Sequence, residues 1–181
     1  MTLKDALKKA LEIIGDDDID LDTTDEPAGN LKKLISCGNM IYGELTEEYA
    51  FLRNEEEVTF VDGKFTVANL QKPLKEIIRI KNKDRNIPYK LFPSYIELGG
   101  KISGNFTVIY TYHASELGLN DTLVLPQSFT AASLAAGIAS EYFYRSGLID
   151  EALFYKNRYD NTVLNLTRKR APGAIYYRRF I

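Results

Sequence analysis

The sequence predicts an α+β fold: a mainly α-helical body of about four helices, a small antiparallel β lobe inserted into it, and an extended C-terminal tail. Three observations predict this. Apolar residues recur three and four apart before residue 56 and after residue 122. Between residues 57 and 121 the period falls to two. After Pro172-Gly173 the chain turns basic and aromatic. The expected organisation is a discontinuous helical body over 1–56 and 122–167, a β-rich insertion over 57–121, and a docking tail over 168–181.

The first helix is predicted over Thr2 to Ile14. Leu3, Ala6, Leu7, Ala10, Leu11 and Ile14 form its apolar face. Thr2 and Asp5 make a variant capping box, and Gly15 supplies the stop. An acidic turn follows from Asp16 to Asp22, read as a solvated connection with Ile19 and Leu21 tucked inward. The second helix is expected from Glu26-Pro27 to about Arg53, with proline tolerated in the first turn. Its face runs through Leu31, Leu34, Ile35, Gly38, Ile41, Tyr42, Leu45, Tyr49 and Leu52. Glu55-Glu56-Glu57 reads as a solvated helix exit.

In the insertion, Val58–Val61 and Lys64–Val67 flank Asp62-Gly63, a hairpin signal. A second strand pair is expected at Glu76–Lys81 and Ile87–Leu91, a third block at Asn105–Tyr112, and a short strand at Tyr95–Leu98. Helix returns from Leu125-Pro126-Gln127-Ser128 to Arg145, with Phe129, Ala132, Ala135, Ala136, Ala139 and Phe143 on its face. The last helix is expected from Ile149 to Thr167, with Ala152, Leu153, Tyr159, Val163 and Leu166 inward. Asp150 and Glu151 at its start and Arg168, Lys169 and Arg170 at its end suit the helix dipole.

Composition narrows the function. The chain has 181 residues, 45% apolar, which allows a real core and rules out wholesale disorder. No apolar run approaches the roughly 20 residues of a spanning helix, so no membrane is expected as a partner. Met1-Thr2-Leu3-Lys4-Asp5 has no signal-peptide core. One cysteine, Cys37, precludes an internal disulfide and a Cys-rich zinc site. One histidine, His113, precludes a two-histidine metal centre. The 12 Tyr and 9 Phe instead suit half-wet interfaces.

The candidates for chemistry are few. His113 and Glu116 are spaced as an acid–base pair, but a loop histidine is the better reading. Ser115 lacks the glycines of a nucleophile elbow. Gly99-Gly100-Lys101-Ile102-Ser103-Gly104 departs from the phosphate-binding loop pattern and precedes a strand, so it reads as a turn. Asp16, Asp18 and Asp20 match the first ligand spacings of a calcium loop. Leu21 and Pro27 stand where Gly and Glu are needed. Cys37 lies mid-helix without a cationic neighbour and reads as packed and inert. No catalytic residue, metal or cofactor is expected.

Charge placement says more. Residues 1–60 hold 6 Lys/Arg and 15 Asp/Glu, a net −9; residues 61–181 hold 17 and 10, a net +7. The last fourteen residues carry five basic groups and no acidic one. Ile175, Tyr176, Tyr177, Phe180 and Ile181 make that tail apolar as well. With Arg168, Lys169, Arg170, Arg178 and Arg179 they suit docking on a protein surface. An acidic part and a basic part on one chain also suit head-to-tail contact between copies, which closes into a ring when the rotation permits.

The order of elements resembles the head–tail connector proteins of tailed bacteriophages, the adaptors beneath the portal. Three stretches carry the resemblance: Ala6-Leu7 to Ile14-Gly15 with its acidic loop and long helix, Leu125-Pro126-Gln127-Ser128-Phe129 leading into an alanine-rich helix, and Gly147-Leu148-Ile149-Asp150-Glu151-Ala152-Leu153-Phe154-Tyr155 through Tyr159. The resemblance implies a structural virion protein, made in the host cytoplasm, that forms a homo-oligomeric ring, a dodecamer, under the portal protein. The tail over Arg168 to Ile181 would pack on the portal, and the β lobe would meet the next neck or tail protein. DNA would pass through the lumen without sequence-specific binding. The long helix and the helical share favour an adaptor over more β-rich ring components such as a stopper, a tail terminator or a baseplate protein. Remoter readings are a small enzyme using His113 and Glu116, or a DNA-binding module using Arg168 to Arg179.

Overall fold

The computed structural model describes residues 1–16, 19–22 and 29–168. Two compact units result: the described residues of Met1–Glu44 with those of Glu116–Ile181, and Leu45–Ser115.

In the helical unit, α1 spans Leu3–Ile14 and ends on Gly15, left-handed at φ 70°. Thr2 Oγ1 accepts from the Asp5 N–H at 3.3 Å, and the Thr2 N–H donates to Asp5 Oδ2 at 2.7 Å. The next free donors of the first turn are taken by the returning chain. Leu3 N–H donates to Asp121 O at 3.0 Å and Lys4 N–H to Leu119 O at 2.8 Å. α2, Gly29–Glu48, begins in this unit. Leu31, Leu34, Cys37, Ile41 and Tyr42 are buried on it. A Cβ on Gly38 would lie 2.9 Å from both Leu3 Cδ1 and Leu7 Cδ2, so glycine sets how closely α1 approaches α2. Asn39 pins the chain where it re-enters the unit: Nδ2 donates to Leu117 O at 2.9 Å and Oδ1 accepts from Leu117 N–H at 2.8 Å.

α3, Ala131–Arg145, starts later than Leu125 because Thr130 caps it. Thr130 Oγ1 accepts from Ser133 N–H at 3.3 Å, and Thr130 N–H donates to Ser133 Oγ at 2.8 Å. Every residue from Ser133 to Ser140 is buried. The helix is therefore a core helix rather than an amphipathic one. Its small side chains admit α1 on one side and α4, Ile149–Arg168, on another. Ala152, Tyr159 and Val163 of α4 are buried, but Leu153 is 58% exposed, contrary to its expected inward place. A Cβ on Gly137 would lie 2.8 Å from Tyr159 Cδ2, so the tyrosine ring lies directly over the glycine.

The sheet unit corrects the expected fold class. Of the described residues 43% are helix and 27% strand, an α+β fold with two antiparallel sheets, rather than a mainly helical body carrying a small lobe. Seven strands are present among the described residues: β1 Leu52–Phe60, β2 Lys64–Thr66, β3 Leu74–Asn82, β4 Arg85–Ile87, β5 Tyr89–Leu91, β6 Tyr95–Leu98 and β7 Gly104–Tyr112. The sheet orders are β1-β7-β3-β4 and β2-β6-β5. The extended tail expected at 168–181 lies outside the described residues, apart from the backbone of Arg168 at the end of α4.

Three local corrections follow from the register. The second helix stops at Glu48, and Leu52 opens β1. Glu55-Glu56-Glu57 is therefore strand, not helix exit. The period of two was hidden because Asn54 and Glu56 replace apolar residues on the inner side. Asn54 Nδ2 donates to Tyr110 Oη at 3.1 Å, and both Glu56 oxygens accept the Gln71 N–H at 3.3 Å. Asp62 and Gly63 do form the turn, at φ 50° and 76°. The hairpin ladder, however, ends at a single bridge, Val61↔Lys64. β1 pairs with β7 over all nine residues, and β2 pairs with β6. Ile87–Leu91 is two strands, split at Pro88, which has no N–H for a ladder. β4 pairs with β3 in one sheet and β5 with β6 in the other.

Both sheets share one core of Val58, Phe60, Leu70, Ile77, Ile80, Ile96, Leu98, Phe106, Val108 and Tyr110. Phe60 and Phe106 meet edge-on at 5.3 Å.

Gly137→Val should destabilise the chain by about 1–3 kcal/mol, because the added side chain would force the buried Tyr159 ring to shift. Urea unfolding followed by circular dichroism measures this; an unchanged midpoint would show that α3 and α4 adjust freely.

Candidate functional site

His113 follows β7, and its N–H donates to Pro73 O at 3.1 Å. Its Nδ1 lies 2.7 Å from Glu47 Oε1. Lys75 Nζ lies 2.5 Å from Glu47 Oε2 and donates to the Glu47 carbonyl at 2.7 Å. Lysine and histidine thus share one carboxylate, bracketing the last turn of α2, the start of β3 and the end of β7. The Glu47 carboxyl is held below its ordinary 4.5, first by Lys75 and then by His113. The carboxylate partner of His113 is therefore Glu47, not Glu116. Glu116 belongs to the helical unit, beside a cleft of about 540 Å³ lined also by Lys32, Ile35, Ser36, Asn39, Met40 and Arg145. Arg145 donates there to Glu141 Oε1 at 2.7 Å and Ser36 Oγ at 2.9 Å.

The glycine-rich turn joins two strands, β6 and β7, and is fastened to the Asp62-Gly63 turn. Asp62 N–H donates to Ser103 Oγ at 2.9 Å and Gly63 N–H to Ile102 O at 3.1 Å. A Cβ on Gly63 would lie 2.5 Å from Gly100 O, so the two turns pack backbone against backbone.

In the acidic turn, Ile19 and Leu21 are buried. Asp16 Oδ2 accepts from Tyr142 Oη at 3.0 Å, Asp20 Oδ1 from the Asp22 N–H at 2.8 Å, and Asp22 pairs with Lys4. Burial, with Asp16 second, pushes the Tyr142 phenol up to about 12. Asp17 and Asp18 lie outside the described residues, among which no group of three His, Cys, Asp or Glu is placed to hold a metal ion. Burial pushes the Cys37 thiol up to about 11, which keeps it protonated at neutral pH. No helix among the described residues is long and apolar enough to cross a membrane.

The expected docking residues Lys169, Arg170, Ile175, Tyr176, Tyr177, Arg178, Arg179, Phe180 and Ile181 lie outside the described residues, as does the side chain of Arg168.

What residue patterning missed is an apolar surface where α3 turns into α4. Tyr144, Leu148, Ile149, Leu153 and Phe154 are 62, 46, 48, 58 and 64% exposed. Tyr144, Ile149 and Leu153 flank a groove of about 270 Å³ floored by Ser140 and Ala152. Phe154 stands edge-on to Tyr155, ring centres 5.1 Å apart. The sequence signal was the run Ile149, Ala152, Leu153, Phe154, which wraps more of the helix than one packed stripe needs. Glu141 and Lys156 complete the rim of the groove, and apolar surface bordered by polar residues in this way is found at protein, membrane and ligand contacts.

No protein-family model matches the chain, and no curated protein matches it.

Glu47 has a lowered folded value, so its bracket stabilises above the unfolded value near 4.5 and the contribution is lost as pH falls through the folded one. Wild type should lose more stability than Glu47→Gln between pH 7 and pH 3, by urea midpoint. Equal losses would show the bracket to be idle.

Proposed function

We propose that this protein is a structural ring component of a phage neck, a head-to-tail connector adaptor that docks under a portal protein and forms part of the DNA channel. One observation carries the reading: the uncovered apolar groove of Tyr144, Ile149 and Leu153. Each such side chain contributes about 1.5–3 kcal/mol when fully buried. A second copy of the chain covers it in the proposed ring. The ring reading needs no catalytic group, and Glu47, Asp16, Asp22 and Arg145 are engaged in ion pairs or hydrogen bonds.

The order helix pair, sheet insertion, helix pair supports the resemblance to connector adaptors. With two sheets in the chain, the helical share no longer separates an adaptor from a stopper or tail terminator. The assignment rests instead on that order and on the tail after α4, whose arginines and aromatics suit a portal surface. The proposed setting is the virion neck, with DNA passing through the lumen.

Leu153→Asp should leave the helical content unchanged and shift the protein from rings toward monomer in sedimentation velocity. A wild type that stays monomeric at every concentration would contradict the ring. Deleting Ala171 to Ile181 should abolish co-purification with the portal protein while the fold stays intact; continued attachment would contradict the tail's role.

A further inference from the structure

The outer face of the sheet β1-β7-β3-β4 carries charge in rows. Across β7, the register aligns Glu55, Ile109 and Arg79 in one row and Glu57, Thr107 and Lys81 in the next. Glu55, Glu57 and Arg79 are exposed and Lys81 is half-buried. In the third row, Arg53, Thr111 and Glu76, the signs are reversed, so it is the half of the face nearer the β3–β4 turn in which β1 is acidic and β3, two strands away, is basic. The basic stripe continues around the β3–β4 turn through Lys83 and Arg85, both exposed, against one acid, Asp84. Among the described residues none of Glu55, Glu57, Arg79, Lys81, Lys83 and Arg85 has an ion pair or a side-chain hydrogen bond. Within a sheet, strands two apart lie about 9.5 Å from each other, and these side chains extend outward without pairing across that gap.

From this we infer that the sheet is a two-ended contact between copies of the chain: the acidic β1 edge of one subunit receives the basic β3–β4 hairpin of the next. β1 is one edge of the sheet, and the β3–β4 hairpin forms its other side. Copies set side by side in one orientation therefore bring acid to base at every step. Such a contact is heterologous and propagates around a ring. The inference rests on the ring proposed above. It adds a second, electrostatic contact to the apolar one and gives it a direction. Opposite-sign patches of this kind steer association and set register more than they add affinity. Like-charge juxtaposition would also discourage the wrong orientation.

The test is a charge swap on the full chain, read by sedimentation velocity at about 0.15 M salt. Glu55→Lys with Glu57→Lys makes both edges basic; Arg79→Glu with Lys81→Glu makes both acidic. Each double variant alone should need at least about tenfold more protein to assemble. An equimolar mixture of the two should assemble near the wild-type concentration, since alternating the two variants around the ring again sets acid against base at every joint. Glu55→Gln with Glu57→Gln should give a smaller rise in the same direction, which keeps the test valid if a reversed strand fails to fold. Assembly unchanged in either reversed variant, or a mixture no better than its parts, would overturn the inference while leaving the ring intact. So would closed dimers as the only assembled species, or loss of DNA binding by Arg79→Glu/Lys81→Glu with assembly unchanged. A wild type that never assembles would overturn the ring itself, and this contact with it.

Discussion

The helical unit depends on how close α4 comes to α3. Gly137 faces the Tyr159 ring at a distance that leaves no room for a methyl group. Around it, Ala135, Ala136, Ala139 and Ser140 keep α3 slim enough to be buried over eight consecutive residues. Ser140 Oγ donates to Ala152 O at 2.8 Å, so the close approach also fastens the two helices. The buried stripe on α4 is Ala152, Tyr159 and Val163, and the larger apolar residues beside it are left facing outward. The groove is floored by Ser140 and Ala152, the same small residues that let the two helices approach.

The sheet unit has its own axis, β7. It pairs with β1 over nine residues on one side and with β3 on the other. Phe106, Val108 and Tyr110 point into the core, and the alternate residues separate the acidic and basic strands on the outer face. A slip of one residue would carry Phe106, Val108 and Tyr110 outward, so the same burial that fixes the register also fixes the charge rows. Glu56 shows the limit of reading glutamates by type. Its two neighbours are solvated, while Glu56 is 8% exposed and holds the backbone N–H of Gln71.

Much of the helical unit was legible in the residues. Thr2, Asp5 and Gly15 are local signals that act within one turn, and the stop at Gly147, φ 80°, is another. The sheet unit was less legible, for physical reasons. Strand partners are set by distant segments, so Asp62-Gly63 announced a turn without announcing that β1 and β2 would part. Ile87–Leu91 read as one strand, and the effect of Pro88, moving the chain from one sheet to the other, appears only with both sheets in place. Leu45, Tyr49 and Leu52 kept helical spacing by coincidence where α2 gives way to β1. At the site, His113 was legible as a loop histidine, but its partner Glu47 is 66 residues away in the chain. The groove escaped because apolar type was taken for inward direction at Leu153.

The charge split along the chain, −9 and then +7, has a local counterpart in the outer face of one sheet. Apolar groove and charged edges lie in different units, so an assembly using both would hold each unit by its own contact. The account stands or falls on the surroundings of that groove in the assembled protein. Electron microscopy of the purified full chain, to side-chain detail, measures this directly. The account predicts a closed cyclic ring in which Tyr144, Ile149 and Leu153 of each subunit are covered by its neighbour. Single subunits only, or a ring that leaves these three side chains in solvent, would contradict it.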